Sequence, residues 1–297
     1  MHEGTGHART LMPMSRVVVT GGSGKLGGAV VADLIAHGWD VVNVDLIASH
    51  ASPFTRVDLT DFGQTFEALT SIDSRYDGVD AVVHLAAVPA PGLLPNAATF
   101  ENNILSTYNV FAAARAAGIR NIVWASSETV LGLPFDTPPP YVPVDEEYEG
   151  RPETAYSLSK HLGEKMAEQM CRQDPTLKIY GLRFSNVMLP ADYAAFPSFN
   201  ADPRSRNWNL WGYIDARDGA QAVRKSLDHS GTGAQVFIIA NADTVMTTSS
   251  ADLMASVYPD VPIRGTLDTN ETLLSIAKAR RVLGYEPEHS WRRTIEV

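Results

Sequence analysis

Short apolar, β-branched runs alternate along this chain with longer segments whose apolar positions recur at helical spacing. The first run, Arg16–Thr20, holds Val17, Val18 and Val19 and stops at a cluster of glycines. A continuous valine run predicts a strand buried on both faces, as in parallel sheets. Beyond Gly21–Gly28 the spacing predicts a helix over Ala29–His37, with Gly38 as its stop. A second strand follows at Val41–Val44 and ends at Asp45. The rhythm recurs as strand Asp80–Leu85, helix Asn102–Ala117 closed by Gly118, strand Ile122–Ala125 and helix Tyr156–Cys171. Strand Ile179–Phe184, helix Ala216–Leu227 and strand Gln235–Ala240 complete it. Such alternation predicts right-handed βαβ units, and so an α/β fold built on a doubly wound parallel sheet.

Two segments break the rhythm. Leu131–Arg151 carries Pro134, Pro138, Pro139, Pro140 and Pro143 before the acidic patch Asp145-Glu146-Glu147. Proline fixes φ and removes an N–H donor, so this stretch is a loop leading to the next helix. Asn186–Gly212 is irregular and rich in aromatic residues, with Arg204 and Arg206 among them. No internal repeat, heptad or low-complexity tract interrupts the rest.

Composition narrows the class. With 297 residues the chain suits two domains or one large α/β unit, and it can bury a core without staples. Its net charge of −10 argues against a nucleic-acid partner, which needs a basic patch. The lone cysteine, Cys171, cannot form an internal disulfide, which fits a reducing cytoplasm. No apolar stretch reaches the ~18 to 20 residues of a membrane span, so no membrane is expected as a partner. Met1–Arg16 lacks the apolar centre of a signal peptide, and residues 1–15 are expected to be a flexible leader. No Cys/His cluster has metal-ligand spacing, and no metal is expected.

The chemistry begins at the glycines. Gly21, Gly24 and Gly27, with Lys25 and Leu26 between them, lie between a strand and a helix. Glycines there allow a tight turn and a close backbone approach, and the helix N-terminus favours an anion such as a pyrophosphate. Asp45, at the end of the second strand, is the matching acid: a carboxylate there accepts both ribose hydroxyls and repels a 2′-phosphate. That favours NAD over NADP, although Lys25 is a cation in reach of such a phosphate. Asp58 is either an adenine contact or a turn aspartate. In Tyr156-Ser157-Leu158-Ser159-Lys160 the tyrosine and lysine sit one turn apart on one helix face. A phenol with a pKa of about 10 is a poor base at neutral pH, and an adjacent ammonium would favour its phenolate. Ser126-Ser127, after a strand upstream, offers a hydroxyl for the same substrate oxygen.

With these motifs assembled, the sequence resembles the extended short-chain dehydrogenase/reductases, in particular the NAD-dependent epimerase/dehydratase group. The resemblance runs from Arg16 to about Pro287. It includes Thr20–Gly27, Asp45, Asp58-Leu59, His84-Leu85-Ala86-Ala87, Asn103, Ser126-Ser127, Tyr156 with Lys160, Leu182-Arg183 and Asn186-Val187. Ser275–Pro287 is similar to the family's closing helix and its Leu-Gly-Tyr-x-Pro stop. The resemblance implies a Rossmann domain and NAD as cofactor, held by Gly21, Gly24, Lys25, Leu26, Gly27, Asp45, Asp58, Leu59, Leu85, Ala86, Ala87, Asn103, Tyr156 and Lys160. It makes Tyr156 the acid/base, Lys160 the residue that holds the nicotinamide ribose, and Ser127 the donor that orients the substrate oxygen. Ser126 supports the strand end, His84 is read as structural, and Asn103 either orders its helix or only packs. The family also dimerises through the helices that carry Asn103 and Tyr156; Tyr108, Phe111, Leu162 and Met166 either serve a homodimer surface or pack on the sheet.

Departures from the family pattern narrow the reaction. Family dehydratases follow the catalytic residue with an Asp-Glu pair, whereas Glu128-Thr129 stands here, so dehydration is disfavoured and Glu128 is expected to be a partly exposed strand-end acid. The stretch from Asn186 to Trp211-Gly212-Tyr213-Ile214-Asp215 is short for a nucleotide pocket. It is closer to the uronate-dehydrogenase branch, whose substrate is a free sugar acid. Asn186, Arg204, Arg206 and Trp211, with Ser127, are the candidate substrate residues, the arginines as carboxylate clamps or solvated loop charges and Trp211 as an apolar wall or a domain-packing aromatic. The expected division is a leader over 1–15, a dinucleotide-binding domain over 16–185, a substrate loop over 186–212, a return to the Rossmann domain over 213–240, and a cap over 241–297. The leading expectation is an NAD-dependent dehydrogenase acting on a carbohydrate. The alternatives are a nucleotide-sugar 4-epimerase with tightly held NAD, and a non-catalytic NAD-binding regulator.

Overall fold

The valines of the first run explain the architecture. In the computed structural model, which describes residues 14–47, 53–73 and 75–295, that run is β1 (Arg16–Thr20) at the middle of the sheet. Val17 and Val19 face one side, against Val30, Val31 and Leu34 of α1 (Lys25–Ala36). Val18 faces the other, where residues of later helices cover it. Alternation of side chains across a strand thus divides one apolar run between two cores.

The chain continues through β2 (Asp40–Asp45), β3 (Thr55–Arg56), α2 (Phe62–Thr70), β4 (Ala81–His84), α3 (Asn96–Ala116) and β5 (Asn121–Ser127). Next come α4 (Ala155–Gln173), β6 (Lys178–Phe184), β7 (Val187–Met188), α5 (Phe196–Phe199), β8 (Ile214–Asp215) and α6 (Ala216–Asp228). The last elements are β9 (Gly233–Ile239), α7 (Ser250–Val257) and α8 (Ala277–Leu283). Seven strands form one parallel sheet in the order β3-β2-β1-β4-β5-β6-β9, and β7 pairs with β8 in a small second sheet. Helices α1 and α6 contribute to the core on one face, and α2, α3 and α4 to the core on the other. The predicted doubly wound α/β sheet is therefore the fold. Among the described residues no helix is long and apolar enough to cross a membrane.

Several boundaries differ from expectation. Helix α1 starts at Lys25 rather than Ala29, because the glycines that lower helix propensity are needed there for close packing. Helix α3 begins at Asn96, before its apolar periodicity starts, and β3 is too short to leave a pattern. Helix α2 has no counterpart among the expected elements, although Asp61 caps it by accepting from the Gln64 amide, a cap that the Asp-x-x-Gln spacing does signal. The proline-rich loop is tied down by bridges from Val142 to Ile263 and from Val144 to Leu274. The closing helix is α8, stopped at Gly284, and Lys278 and Tyr285 donate to the carbonyls of Val236 and Ala240. Residues 1–13 of the expected leader lie outside the described residues.

Candidate active site

The sheet order places a crevice where the chain, after pairing β2 on one side of β1, crosses to pair β4 on the other. Ligands of doubly wound sheets bind at such a switch, beyond the carboxyl ends of the strands. The glycine turn lies there, and its glycines serve different ends. Gly21 has φ +71°, and a Cβ on it would stand 2.6 Å from the Ala86 amide nitrogen. A Cβ on Gly27 would stand 2.0 Å from the Gly21 carbonyl oxygen, so these two glycines are demanded by the fold itself. Gly24 has more room: a Cβ would meet only the Gly21 oxygen, at 3.3 Å.

Gly24 caps α1 in extended conformation; no side chain caps that helix and no acid lies in its first turn. Leu26 lies against Gly219 of α6, which leaves its amide in that uncapped first turn. The Ser23 hydroxyl is buried without a partner. Uncapped amides, a helix N-terminus and an orphaned hydroxyl form a donor set that fits a diphosphate. Asp45 accepts from the amides of Ser23 (3.0 Å), Leu46 (2.7 Å) and Ile47 (3.2 Å). A carboxylate offers about four lone-pair sites, so room remains for a ribose hydroxyl.

The other predicted cofactor residues are engaged by protein partners. Lys25 reaches away from the Asp45 side: its ammonium pairs with Asp192 at 2.8 Å and the Val187 carbonyl at 3.3 Å, fastening the glycine turn to the 186–212 segment. Asp58 folds a turn, accepting from the Thr60 amide and hydroxyl at 2.9 and 2.7 Å, and Leu59 is buried in the core with its carbonyl on Asn109. Leu85 and Ala86 donate their amides to the Thr20 carbonyl and hydroxyl, and with Ala87 they leave the end of β4 half-buried. Asn103 clamps the following loop by bonding the Val88 amide (2.8 Å) and carbonyl (3.0 Å). His84 sits between Thr20 (2.8 Å) and Thr107 (3.3 Å), and burial, aided by the Lys160 charge, pulls its pKa down to about 3.

Ser127 ends β5, and Tyr156 and Lys160 occupy the first turns of α4. A capping box of Thr154 with Ser157 fixes that helix start. The Ser127 oxygen accepts from the Thr129 amide (3.2 Å) and hydroxyl (3.0 Å), which leaves its own proton free to donate. The Tyr156 phenol is pushed up to about 12 by burial; a Ser127 hydrogen bond lowers it and the Glu128 charge raises it. The Lys160 ammonium donates to the Ala125 carbonyl at 2.7 Å and stands 5.8 Å from the Tyr156 ring centre, and burial pulls it down to about 8. The expected lowering of the phenol by this ammonium is not among the effects that set it; burial dominates. Behind the site Ser126 donates to Glu164 (2.6 Å), which also takes two bonds from buried Arg183.

The 186–212 segment sorts the candidate substrate residues sharply. Arg204 is exposed, whereas Arg206 is 8% exposed and lies over the rings of Phe199 (5.1 Å) and Trp208 (4.8 Å). Arg206 donates to the Gly212 carbonyl at 3.2 Å and weakly to Asn186 at 3.4 Å, and its Nε is buried without a partner. Trp211 is not an open wall. It is wholly buried, donates its indole N–H to the Pro203 carbonyl and packs edge-on against Tyr258. Glu128 also departs from expectation: it is 3% exposed, accepting from Ser185 (2.6 Å) and Asn209 (3.2 Å), because the turn after β5 runs inward under the apolar Val130 and Leu131. Asn209 and Asp192 have no signal in the sequence, since only the fold brings them to Glu128 and Lys25, whereas Thr129 meets Ser127 locally, two residues along the chain. Among the described residues no group of three His, Cys, Asp or Glu is placed to hold a metal ion.

The crevice, the uncapped helix and the acid at the end of β2 define a dinucleotide-binding α/β protein. Residues 17–240 match the model of the NAD dependent epimerase/dehydratase family, and the chain belongs to that family. It is 30% identical over 219 residues to UDP-glucose 4-epimerase 2 of Oryza sativa subsp. japonica, a match covering 67% of this chain and 50% of that protein. The chain thus spans about half the length of that relative. Among solved structures it resembles a short-chain dehydrogenase/reductase superfamily protein from Agrobacterium tumefaciens with bound NAD, at TM-score 0.72 and 24% identity, covering 95% of both chains. It also resembles a mutated uronate dehydrogenase, at TM-score 0.66 and 22% identity, covering 95% of this chain and 86% of that one. These two likenesses establish the fold.

Proposed function

We propose that this chain is an NAD-dependent oxidoreductase that oxidises a hydroxyl-bearing carbon of a free sugar or sugar acid. The carrying observation is Arg206: a buried guanidinium with unused donor capacity, on a loop short for a nucleotide pocket, and coupled electrostatically to the residue after Ser127. Arginine presents a planar fork suited to a carboxylate, and an apolar surround strengthens that recognition. Asn186, beside Arg206, would contribute a second polar contact.

The amides of the α1 first turn and Asp45 would hold the dinucleotide. When bound, oxidised NAD supplies the hydride acceptor and a positive charge. Ser127, its lone pairs engaged by Thr129, donates to the substrate oxygen and fixes it. Tyr156 takes the hydroxyl proton, its phenolate favoured by positive charge beside it. Lys160, anchored on the Ala125 carbonyl, supplies that charge from the protein side and reaches the nicotinamide ribose. The decisive assay is a panel of free sugars, sugar acids and nucleotide sugars with NAD, followed by the appearance of reduced cofactor. Turnover of the free acids supports the reading; turnover confined to nucleotide sugars overturns it.

The second reading, a nucleotide-sugar 4-epimerase, draws its support from the curated relative named UDP-glucose 4-epimerase 2. It requires NAD that survives purification and substrate conversion without net reduced cofactor. We further propose a homodimer through α3 and α4, in the cytoplasm. Tyr108 and Leu162 are exposed there beside a groove of 570 Å³ that Met166 helps to line, while Phe111 faces the sheet against Trp124. Buried, unpaired Cys171 supports a reducing compartment.

A further inference from the structure

We infer that Glu128 is a positioning residue for Arg206 and that it makes binding of a carboxylate-bearing sugar at Arg206 proton-linked, which a neutral sugar would not be. This rests on the reading of Arg206 as the substrate's anion site. Glu128 opens the short 3-10 turn directly after Ser127 and is almost wholly buried. Its Oε2 accepts from the Ser185 hydroxyl at 2.6 Å and its Oε1 from Asn209 Nδ2 at 3.2 Å. Asn209 Nδ2 donates also to the Gly212 carbonyl at 2.9 Å, and Arg206 Nη2 donates to that same carbonyl at 3.2 Å. The carboxylate and the guanidinium therefore meet through Asn209 and one shared backbone oxygen rather than as a direct pair.

Among the described residues no carboxylate lies within ion-pair distance of Arg206, and Glu128 is the acid whose charge acts on it. The charged or titratable groups that act across this contact are Arg206 from the loop and Tyr156 from α4; Ser185, Asn209 and the Asn186 amide are neutral donors to the carboxylate. Burial pushes the Glu128 carboxyl up to about 7, against the lowering by those donors and by Arg206. Above that pH Glu128 neutralises Arg206. Below it the guanidinium lacks a counter-charge, and an incoming carboxylate supplies one. Anion binding and protonation of Glu128 must then favour each other equally, since linkage is reciprocal. The arrangement discriminates by charge, because a neutral hydroxyl gains nothing from the proton.

The test uses the NAD-loaded protein with D-glucuronate and D-glucose as probes, and measures their affinities below and above about pH 7. In the parent the glucuronate affinity should fall roughly 5-fold or more as pH rises through that value, with glucose unchanged. Glu128→Gln, which holds the site neutral, should keep the low-pH affinity throughout. Ser185→Ala removes a donor to the carboxylate and should move the midpoint to higher pH; it carries the test should Glu128→Gln fail to fold. A flat parent profile, an unchanged slope in Glu128→Gln, or an unmoved midpoint in Ser185→Ala overturns the inference. No glucuronate binding to the parent, or unaltered affinity in Arg206→Met, overturns instead the anion-site reading beneath it.

Discussion

The candidate cofactor crevice and the proposed substrate pocket are built on opposite principles. The crevice is almost all backbone: Thr20 to Gly27 is one contiguous stretch, and Asp45 joins it from the neighbouring strand. Its geometry is enforced by contacts that only glycine permits, at Gly21 and Gly27. The pocket is almost all side chain, drawing on Glu128, Ser185, Asn186, Arg206 and Asn209 from widely separated parts of the chain. It holds buried charges, and a buried charge stripped of its partner is costly. Damage to the crevice should therefore read out as lost cofactor, and damage to the pocket as altered charge selectivity and pH dependence.

The strongest challenge to that contrast is Tyr156→Phe, which belongs to neither half. Turnover should fall at least ~100-fold while NAD titration shows binding retained; full turnover would remove Tyr156 from its role and restore the non-catalytic reading. Gly24→Val should abolish NAD binding with a smaller loss of thermal stability than Gly27→Ala, because its Cβ meets only the Gly21 carbonyl, at 3.3 Å, while the side chain would block the approach of the diphosphate. Gly27→Ala should instead lower the unfolding midpoint, since its Cβ collides with the Gly21 carbonyl. On the pocket side, Arg206→Met should weaken carboxylate-bearing sugars by about 10- to 100-fold, the scale of a charge-assisted hydrogen bond, and spare neutral ones.

A subtler difference lies in acid stability. His84, neutral in the fold with a pKa of about 3, must stay unprotonated while the unfolded chain takes a proton near its ordinary value of 6.5. Its contribution is full above that pH and is lost as pH falls toward 3, a few kcal/mol at most. Glu128 works in the opposite sense, since its raised pKa favours the folded state below about 7. Denaturant titrations of the parent and His84→Asn across this range should show a shallower acid loss in the variant. The smallest effect is expected from Lys25→Met. Its partly exposed pair with Asp192 is worth about 0 to 1 kcal/mol, so NAD affinity should shift only slightly and less at high salt.

Legibility in the sequence followed the same divide. The strand runs, the glycine turn, Asp45 and the Tyr156–Lys160 spacing were readable because each depends on neighbours within one or two turns of chain. The exceptions were short or polar starts, such as β3 and the beginning of α3, where periodicity has too few positions to register. The pocket resisted. Arg204 and Arg206 look alike in sequence, yet one is exposed and the other is buried over Phe199 and Trp208. Trp211, readable as a ring wall or a packing aromatic, proved to be a packing one, and Glu128, expected to be partly exposed, proved to be interior.

What the amino-acid order determined by itself is the layered α/β sheet, the family and the place where the cofactor's anion can sit. Hydrophobic period and glycine sterics are local, so they survive being read in one dimension. Tertiary structure alone decided which arginine lost its water, that Lys25 is held by Asp192, and that Glu128 stands inside, linked to Arg206 through Asn209 and the Gly212 carbonyl. Desolvation is the physical reason: a side chain's charge and pKa depend on which distant groups exclude water from it, and that is settled only when the chain has closed upon itself.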